Sequence, residues 1–152
     1  MEKINLKVPP VIVFFCSLGL IWLLQEYIPD AYQFKAERWL LVFLLTLGVC
    51  IAFAAVIQFM ISSTSVDPHK PEKASSLVRN GIYRLSRNPM YLGMLIILVA
   101  AILKWGDPIA LLVLPVYIGY MNKFQIKPEE QKMEEKFGKE YLNYKSEVRR
   151  WI

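Results

Sequence analysis

Four long apolar runs, separated by polar segments of unequal length, organise the sequence: residues 8–28, 38–60, 90–103 and 108–124. Away from their ends these runs carry no Lys, Arg or Asp, and Glu26 lies inside the end of the first. At about 1.5 Å per residue the first two helices would reach roughly 30 Å or more, enough to cross the hydrocarbon core of a bilayer. The last two would each reach roughly 20 to 25 Å. They either borrow flanking residues or form a short hairpin folded at Trp105, Gly106, Asp107 and Pro108. The flanks Tyr91, Lys104, Trp105, Tyr117 and Tyr120 have the character of interfacial anchors and favour full crossing. The pattern therefore predicts an all-α integral membrane protein of about four transmembrane helices, a single domain over residues 1–152. It has a polar loop at 62–88 and an amphipathic helical tail at 125–152.

Charge adds an orientation. Fifteen of the eighteen Lys and Arg residues fall before the first run, in the middle loop or from Lys123 onward. Four crossings put these three segments on one side, which the positive-inside rule makes cytoplasmic, with both termini there. The net charge of +5 follows from that topology before it argues for a nucleic-acid partner, and no basic recognition helix or stacking platform is present to argue otherwise. Composition agrees, with 55% hydrophobic and 20% charged residues. The first run is too long for a signal-peptide core and lacks a small-residue cleavage site. The chain's small size points to a prokaryotic plasma membrane. Cys16 and Cys50 sit mid-helix, where packing is the simplest role, and no metal-ligand spacing surrounds His69, the lone histidine.

Two polar segments are built for more than connection. The middle loop starts with the Pro-interrupted run SSTSVDPHKPEKA, irregular backbone by its composition, and continues SSLVRNGIYRLSRNPMYLG. In it Asn80-Gly81 is a turn signal, and Asn88-Pro89 reads as an N-cap followed by proline at the first helical position. The third helix then begins beside Arg84, Arg87 and two tyrosines, a natural seat for an anionic group. An ordinary anchoring role at lipid phosphates fits Arg84 and Arg87 equally. In the tail, Pro128 suits a first helical turn, Glu129 and Glu130 complement its dipole, and Gly138 suits a stop. Met133, Phe137, Tyr141, Tyr144 and Val148 form a stripe that lies on the membrane or on the loop above. Arg149, Arg150 and Trp151 read as a basic aromatic foot at the headgroups. Gln58, near the end of the second run, is placed for a hydrogen bond between helices.

The block GIYRLSRNPMYLG, followed about 40 residues later by EEQKMEEKFGKEYLNYKSEV, resembles the membrane methyltransferases typified by isoprenylcysteine carboxyl methyltransferase and the phospholipid N-methyltransferases. The resemblance runs roughly from Thr64 onward. It implies a transferase that takes a methyl group from S-adenosylmethionine at the cytoplasmic membrane surface and passes it to an amphiphilic or lipidated acceptor. It nominates Tyr83, Arg87, Asn88, Pro89, Tyr91, Gly93, Glu129 and Glu130 as cofactor-binding. Glu130 is also a catalytic candidate, as is Arg149, which could hold an acceptor carboxylate. The isoprenylcysteine enzymes have histidine where this chain has Asn88, and their arginine before the tail's valine is Glu147 here. Two other readings remain open at this point: a membrane scaffold that keeps the fold without the chemistry, and an NADPH-dependent reductase of the sterol type.

Overall fold

A computed structural model describes residues 8–27, 36–62, 77–105 and 108–152, and among these it is all-helical. Helix α1 is Pro10–Tyr27, α2 is Arg38–Ile61 and α3 is Pro89–Trp105. A 3-10 turn at Ile109–Leu112 then leads into α4, Val113–Tyr120, a π turn at Met121–Ile126 and α5, Lys127–Phe137. These segments form one continuous helix of 29 residues. Helix α6, Lys139–Glu147, follows Gly138.

By length and composition α1, α2 and the helix Ile109–Phe137 can each cross a membrane, and α3 is a shorter apolar helix. Their outer faces bear the chain's exposed apolar residues, among them Phe15, Trp22, Phe43, Phe53 and Val116. Such a surface is stable only in a hydrocarbon solvent. The protein is an integral membrane protein of the all-α class. Cys16 and Cys50 belong to this outer surface rather than to the core, which corrects the packing role expected for them. The Lys-rich start of the chain, most of the middle loop including His69 (residues 63–76), and two of the four residues of the expected hairpin fold, Gly106 and Asp107, lie outside the described residues.

Helices α2 and α3 pack most closely. A carbon added at Gly93 would stand 2.5 Å from the Gly48 carbonyl oxygen and 2.9 Å from the Ala52 nitrogen. The two backbones therefore touch with no side chain between them, as small residues permit in membrane helix pairs. Helix α1 lies against α3 and α4, with the core residues Phe14, Ile21, Leu98, Ile102, Val113 and Tyr117 between them. Gln125 Nε2 donates to the Val8 carbonyl, so the start of α1 meets the end of the fourth apolar run.

The tail departs from expectation in an instructive way. Pro128 was expected to open a separate helix, yet it lies inside a continuous one, directly after the π turn. Proline has no N–H for the carbonyl four residues back and its ring crowds that carbonyl, so the preceding turn widens. An extra residue in that turn rotates everything after it by roughly 100° relative to an unbroken helix. Apolar character ends with this turn, and seven of the eleven residues of α5 are charged. Gly138 breaks the helix as predicted, with φ of 52°, where any other residue would be strained. The stripe Met133, Phe137, Tyr141, Tyr144 and Val148 packs against Ala55, Val78 and Tyr83, so it lies on the loop and the end of α2.

Candidate functional site

The polar end of the bundle brings together the loop before α3, the first turn of α5 and the last residues of the chain. Gly81, at φ 58°, turns the loop against the Gln58 amide and starts a 3-10 turn that delivers Tyr83 inward. Tyr83 is buried, with its ring edge-on to Phe59 and its carbonyl accepting a 2.7 Å hydrogen bond from the Tyr144 hydroxyl. Pro89 then begins α3 as predicted. The Asn88 carbonyl takes that helix's first bond, from the Leu92 N–H, while its Nδ2 donates 2.9 Å to the Arg150 carbonyl.

Residues 148–151 lie across this loop as a strap. Arg87 N–H donates to the Arg149 carbonyl, Ser86 Oγ donates to the Arg150 carbonyl, and Trp151 Nε1 donates to Asn122 Oδ1 on the π turn. The strap is what the sequence suggested would be a foot at the headgroups. Its backbone is extended at Val148 (φ −118°, ψ 132°), so the side chains of Val148 and Arg149 point to opposite sides.

That alternation decides which arginine enters the site. Arg149, the sequence's candidate, is exposed and contributes its carbonyl. The guanidinium that reaches Glu130 belongs to Arg150, through Nε to Oε1 at 3.0 Å and Nη2 to Oε2 at 2.6 Å. From the other side Arg87 Nη2 lies 3.3 Å from Glu130 Oε1. The Arg87 and Glu130 side chains are only 10% and 9% exposed, so this is a nearly dry cluster of two positive charges around one negative. Arg87 Nε and Nη1 are buried and make no hydrogen bond of ordinary geometry, although the Tyr141 hydroxyl lies close to the guanidinium. Buried donors in that condition cost about 1–3 kcal/mol each, more when charged, and an anionic ligand would satisfy both.

Beside this cluster, Tyr91 Oη donates a 2.6 Å hydrogen bond to Glu129 Oε1. Burial pushes the Glu129 carboxyl up to about 8. The Tyr91 hydrogen bond pulls it back, the Glu130 charge adds to the rise and Lys132 lowers it. Burial also pushes the hydroxyls of Tyr83, Tyr141 and Tyr144 up, so they remain protonated donors. From its ordinary 4.5 to about 8, the folded chain holds a Glu129 proton that the unfolded chain has released. This contribution to stability is therefore complete below the ordinary carboxyl value and is lost as pH rises through the folded one. Glu129→Gln should flatten the slope of melting temperature against pH between about 4.5 and 8. An unchanged slope in detergent-solubilised variant would assign it to another group.

Of the residues nominated by sequence, Arg87, Glu129, Glu130, Tyr91 and Asn88 come together, with Tyr83 and Pro89 buried behind them. Gly93 does not join them; it is occupied by the contact with α2. Among the described residues no cluster of His, Cys, Asp or Glu could hold a metal ion.

A 48% identical stretch of 63 residues, 41% of this chain, spans the whole of an uncharacterized Haemophilus influenzae protein. Protein-S-isoprenylcysteine O-methyltransferases A and B of Arabidopsis thaliana are 29% and 28% identical over 138 residues, 87% of this chain and 70% of each relative. The phospholipid methyltransferase family model matches residues 36–140, which include α2, α3, Arg87, Tyr91 and both glutamates, and the chain belongs to that family.

Proposed function

We propose that this membrane methyltransferase takes its methyl group from S-adenosylmethionine and passes it to an amphiphilic acceptor reached from the bilayer, with the polar end of the bundle facing the cytoplasm. The observation that carries the reading is the pair of donors on Arg87 left without an ordinary hydrogen bond, buried beside Glu130. A carboxylate such as the one on the methionyl part of the cofactor suits two adjacent guanidinium donors. The rest of the donor set fits as well. Glu129 and Glu130 offer acceptors for an ammonium group and for ribose hydroxyls, and the Tyr91 ring offers a face to a sulfonium. When bound, S-adenosylmethionine supplies an activated methyl group on a sulfur cation.

The chain's own residues then have positioning work to do. Displacement at a methyl group needs little proton chemistry at carbon, so alignment and exclusion of water supply much of the acceleration. Arg87 and Arg150 fix an anionic end from two sides. The strap, held to the loop by backbone and side-chain bonds, closes the site over Glu130. A carboxylate acceptor would need no base. An amine acceptor would have to lose a proton, and Glu129, with its carboxyl raised toward neutrality, is suited to exchange one. The charge distribution of the sequence supports the cytoplasmic orientation.

The test is equilibrium binding of S-adenosylmethionine, with NADPH in parallel, to detergent-purified wild type, Arg87→Met and Arg150→Met. S-adenosylmethionine should bind the wild type, and each substitution should weaken it at least tenfold, about 1.4 kcal/mol. Binding of NADPH alone would favour a reductase, and binding of neither would favour a scaffold.

A further inference from the structure

Asn88 stands among the residues that meet around Glu130, yet its side-chain amide is turned to the strap, where Nδ2 donates to the Arg150 carbonyl at 2.9 Å. Ser86, the residue on the other side of Arg87 in sequence, is fully buried and meets the same carbonyl. Its hydroxyl donates there at 3.3 Å and accepts the Asn88 N–H at 3.1 Å. One carbonyl therefore takes two side-chain donors, and the Arg87 N–H between them takes the carbonyl of Arg149 at 3.0 Å. Residues 86–88 of the loop grip residues 149 and 150 of the strap.

What the grip joins is the pair of arginines. Arg87 is its middle residue and Arg150 is the residue gripped, and their guanidinium groups come back together on Glu130, Arg87 at 3.3 Å and Arg150 at 3.0 and 2.6 Å. The contacts close a ring that runs from the Arg87 side chain through Glu130 to Arg150 and returns to the loop through the Arg150 carbonyl. Without its backbone half, this ring would rest on Glu130 alone. Two like charges would then repel across one carboxylate, and the Arg150 side chain, 29% exposed, would have water to turn to. A site whose donors are ordered only by the ligand gives up part of its affinity to that ordering, and a frame fixed in advance avoids the loss.

We propose that Ser86 and Asn88 are positioning residues of the methyl-transfer site, which fix the spacing of the Arg87 and Arg150 guanidinium groups for the cofactor carboxylate, and that Asn88 itself makes no contact with the cofactor. The assignment rests on the methyl-transfer reading for identifying that anion. Both residues act through the backbone of the two arginines, so their effect is confined to the one ligand group that the arginines meet. That confinement separates positioning from a general contribution to the fold, which would be blind to the ligand's charge, and from a direct contact elsewhere on the cofactor.

The experiment compares two probes, S-adenosylmethionine and decarboxylated S-adenosylmethionine, which keeps the adenosine, sulfonium and ammonium groups and lacks only the carboxylate. Equilibrium binding of each is measured on the full chain in detergent, below the onset of unfolding, for wild type, Asn88→Ala, Ser86→Ala, Arg150→Met and each alanine substitution combined with Arg150→Met. Wild type should bind S-adenosylmethionine at least about thirtyfold more tightly than the decarboxylated probe. Asn88→Ala and Ser86→Ala should each weaken S-adenosylmethionine about fivefold and leave the decarboxylated probe within about twofold. Added to Arg150→Met, either should cost less than about twofold more, because the spacing it sets no longer exists. Ser86→Ala carries the test alone if Asn88→Ala does not fold. Substitutions that lower the melting temperature and leave both affinities unchanged would make the grip purely structural, and equal weakening of both probes would place Asn88 directly on the cofactor. Either result overturns the proposal, as does a loss that adds in full to that of Arg150→Met, or a wild type that binds the two probes alike. All of these leave the methyl-transfer reading standing. Failure of wild type to bind either probe removes that reading, and the proposal with it.

Discussion

Glu130→Ala should both destabilise the bundle and abolish binding of S-adenosylmethionine. The carboxylate stands between Arg87 and Arg150, and its removal leaves one nearly buried guanidinium with no counter-charge. Stripping one member from a buried charge pair costs about 3–5 kcal/mol. The lower end applies here, because Arg150 is 29% exposed and can turn to water. Thermal unfolding in detergent measures the first effect and equilibrium binding the second, where a loss beyond a hundredfold is expected. The two are separated by the triple variant Arg87→Met, Glu130→Leu, Arg150→Met. With no stranded charge it should recover most of the stability, since apolar replacement of a buried ion cluster is often neutral. It should recover none of the binding. A Glu130→Ala protein that melts with wild type would mean that the charges are solvated and the cluster is not the dry site described.

Gly93→Leu should be comparably severe, through packing alone. The nearest atoms to an added carbon are the backbone of Gly48 and Ala52, which cannot rotate aside as a side chain can. Helices α2 and α3 would have to separate along their tightest contact, and overpacking of this kind costs about 1–3 kcal/mol or more. Because α3 also carries Tyr91 and begins beside Asn88, cofactor affinity should fall with stability. Gly119→Ala is the matched control. Nothing lies within 4 Å of its added carbon, and it should be neutral or slightly stabilising, by up to about 1 kcal/mol. Equal melting temperatures for Gly93→Leu and Gly119→Ala would contradict the close approach of α2 and α3.

The apolar runs were legible because lipid-facing helices need continuous apolarity, and α1 and α2 lie close to where the runs predicted them. Local backbone chemistry was also legible: Pro89 starts α3, Gly138 separates α5 from α6, and Gly81 makes the turn before Tyr83. What depends on register over distance was hidden. Whether Arg149 or Arg150 meets Glu130 is decided by the extended strap, and the strap is fixed by residues 86–88, more than 60 positions earlier. The inward Val148 was the available signal, since its extended backbone turns Arg149 out. The π turn was hidden for a related reason. Pro128 is equally at home opening a helix or widening one, and only the packing of the following turn against Arg87 and Tyr91 distinguishes the two. Gly93 looked like part of the cofactor block because its value to α2 becomes visible only once Gly48 is opposite.

The strap has a consequence for how the site can be watched. Ser86 and Asn88 meet the Arg150 carbonyl across 64 and 62 residues of chain, and the Arg87 amide meets the Arg149 carbonyl beside them. Such bonds exist only while α3, the helix from Ile109 to Phe137 and α6 are docked together, and closing so long a loop gains nothing from local structure. Slow hydrogen exchange at the Arg87 amide would therefore report assembly of the whole bundle, and its protection should rise when a ligand binds Arg87 and Arg150 together.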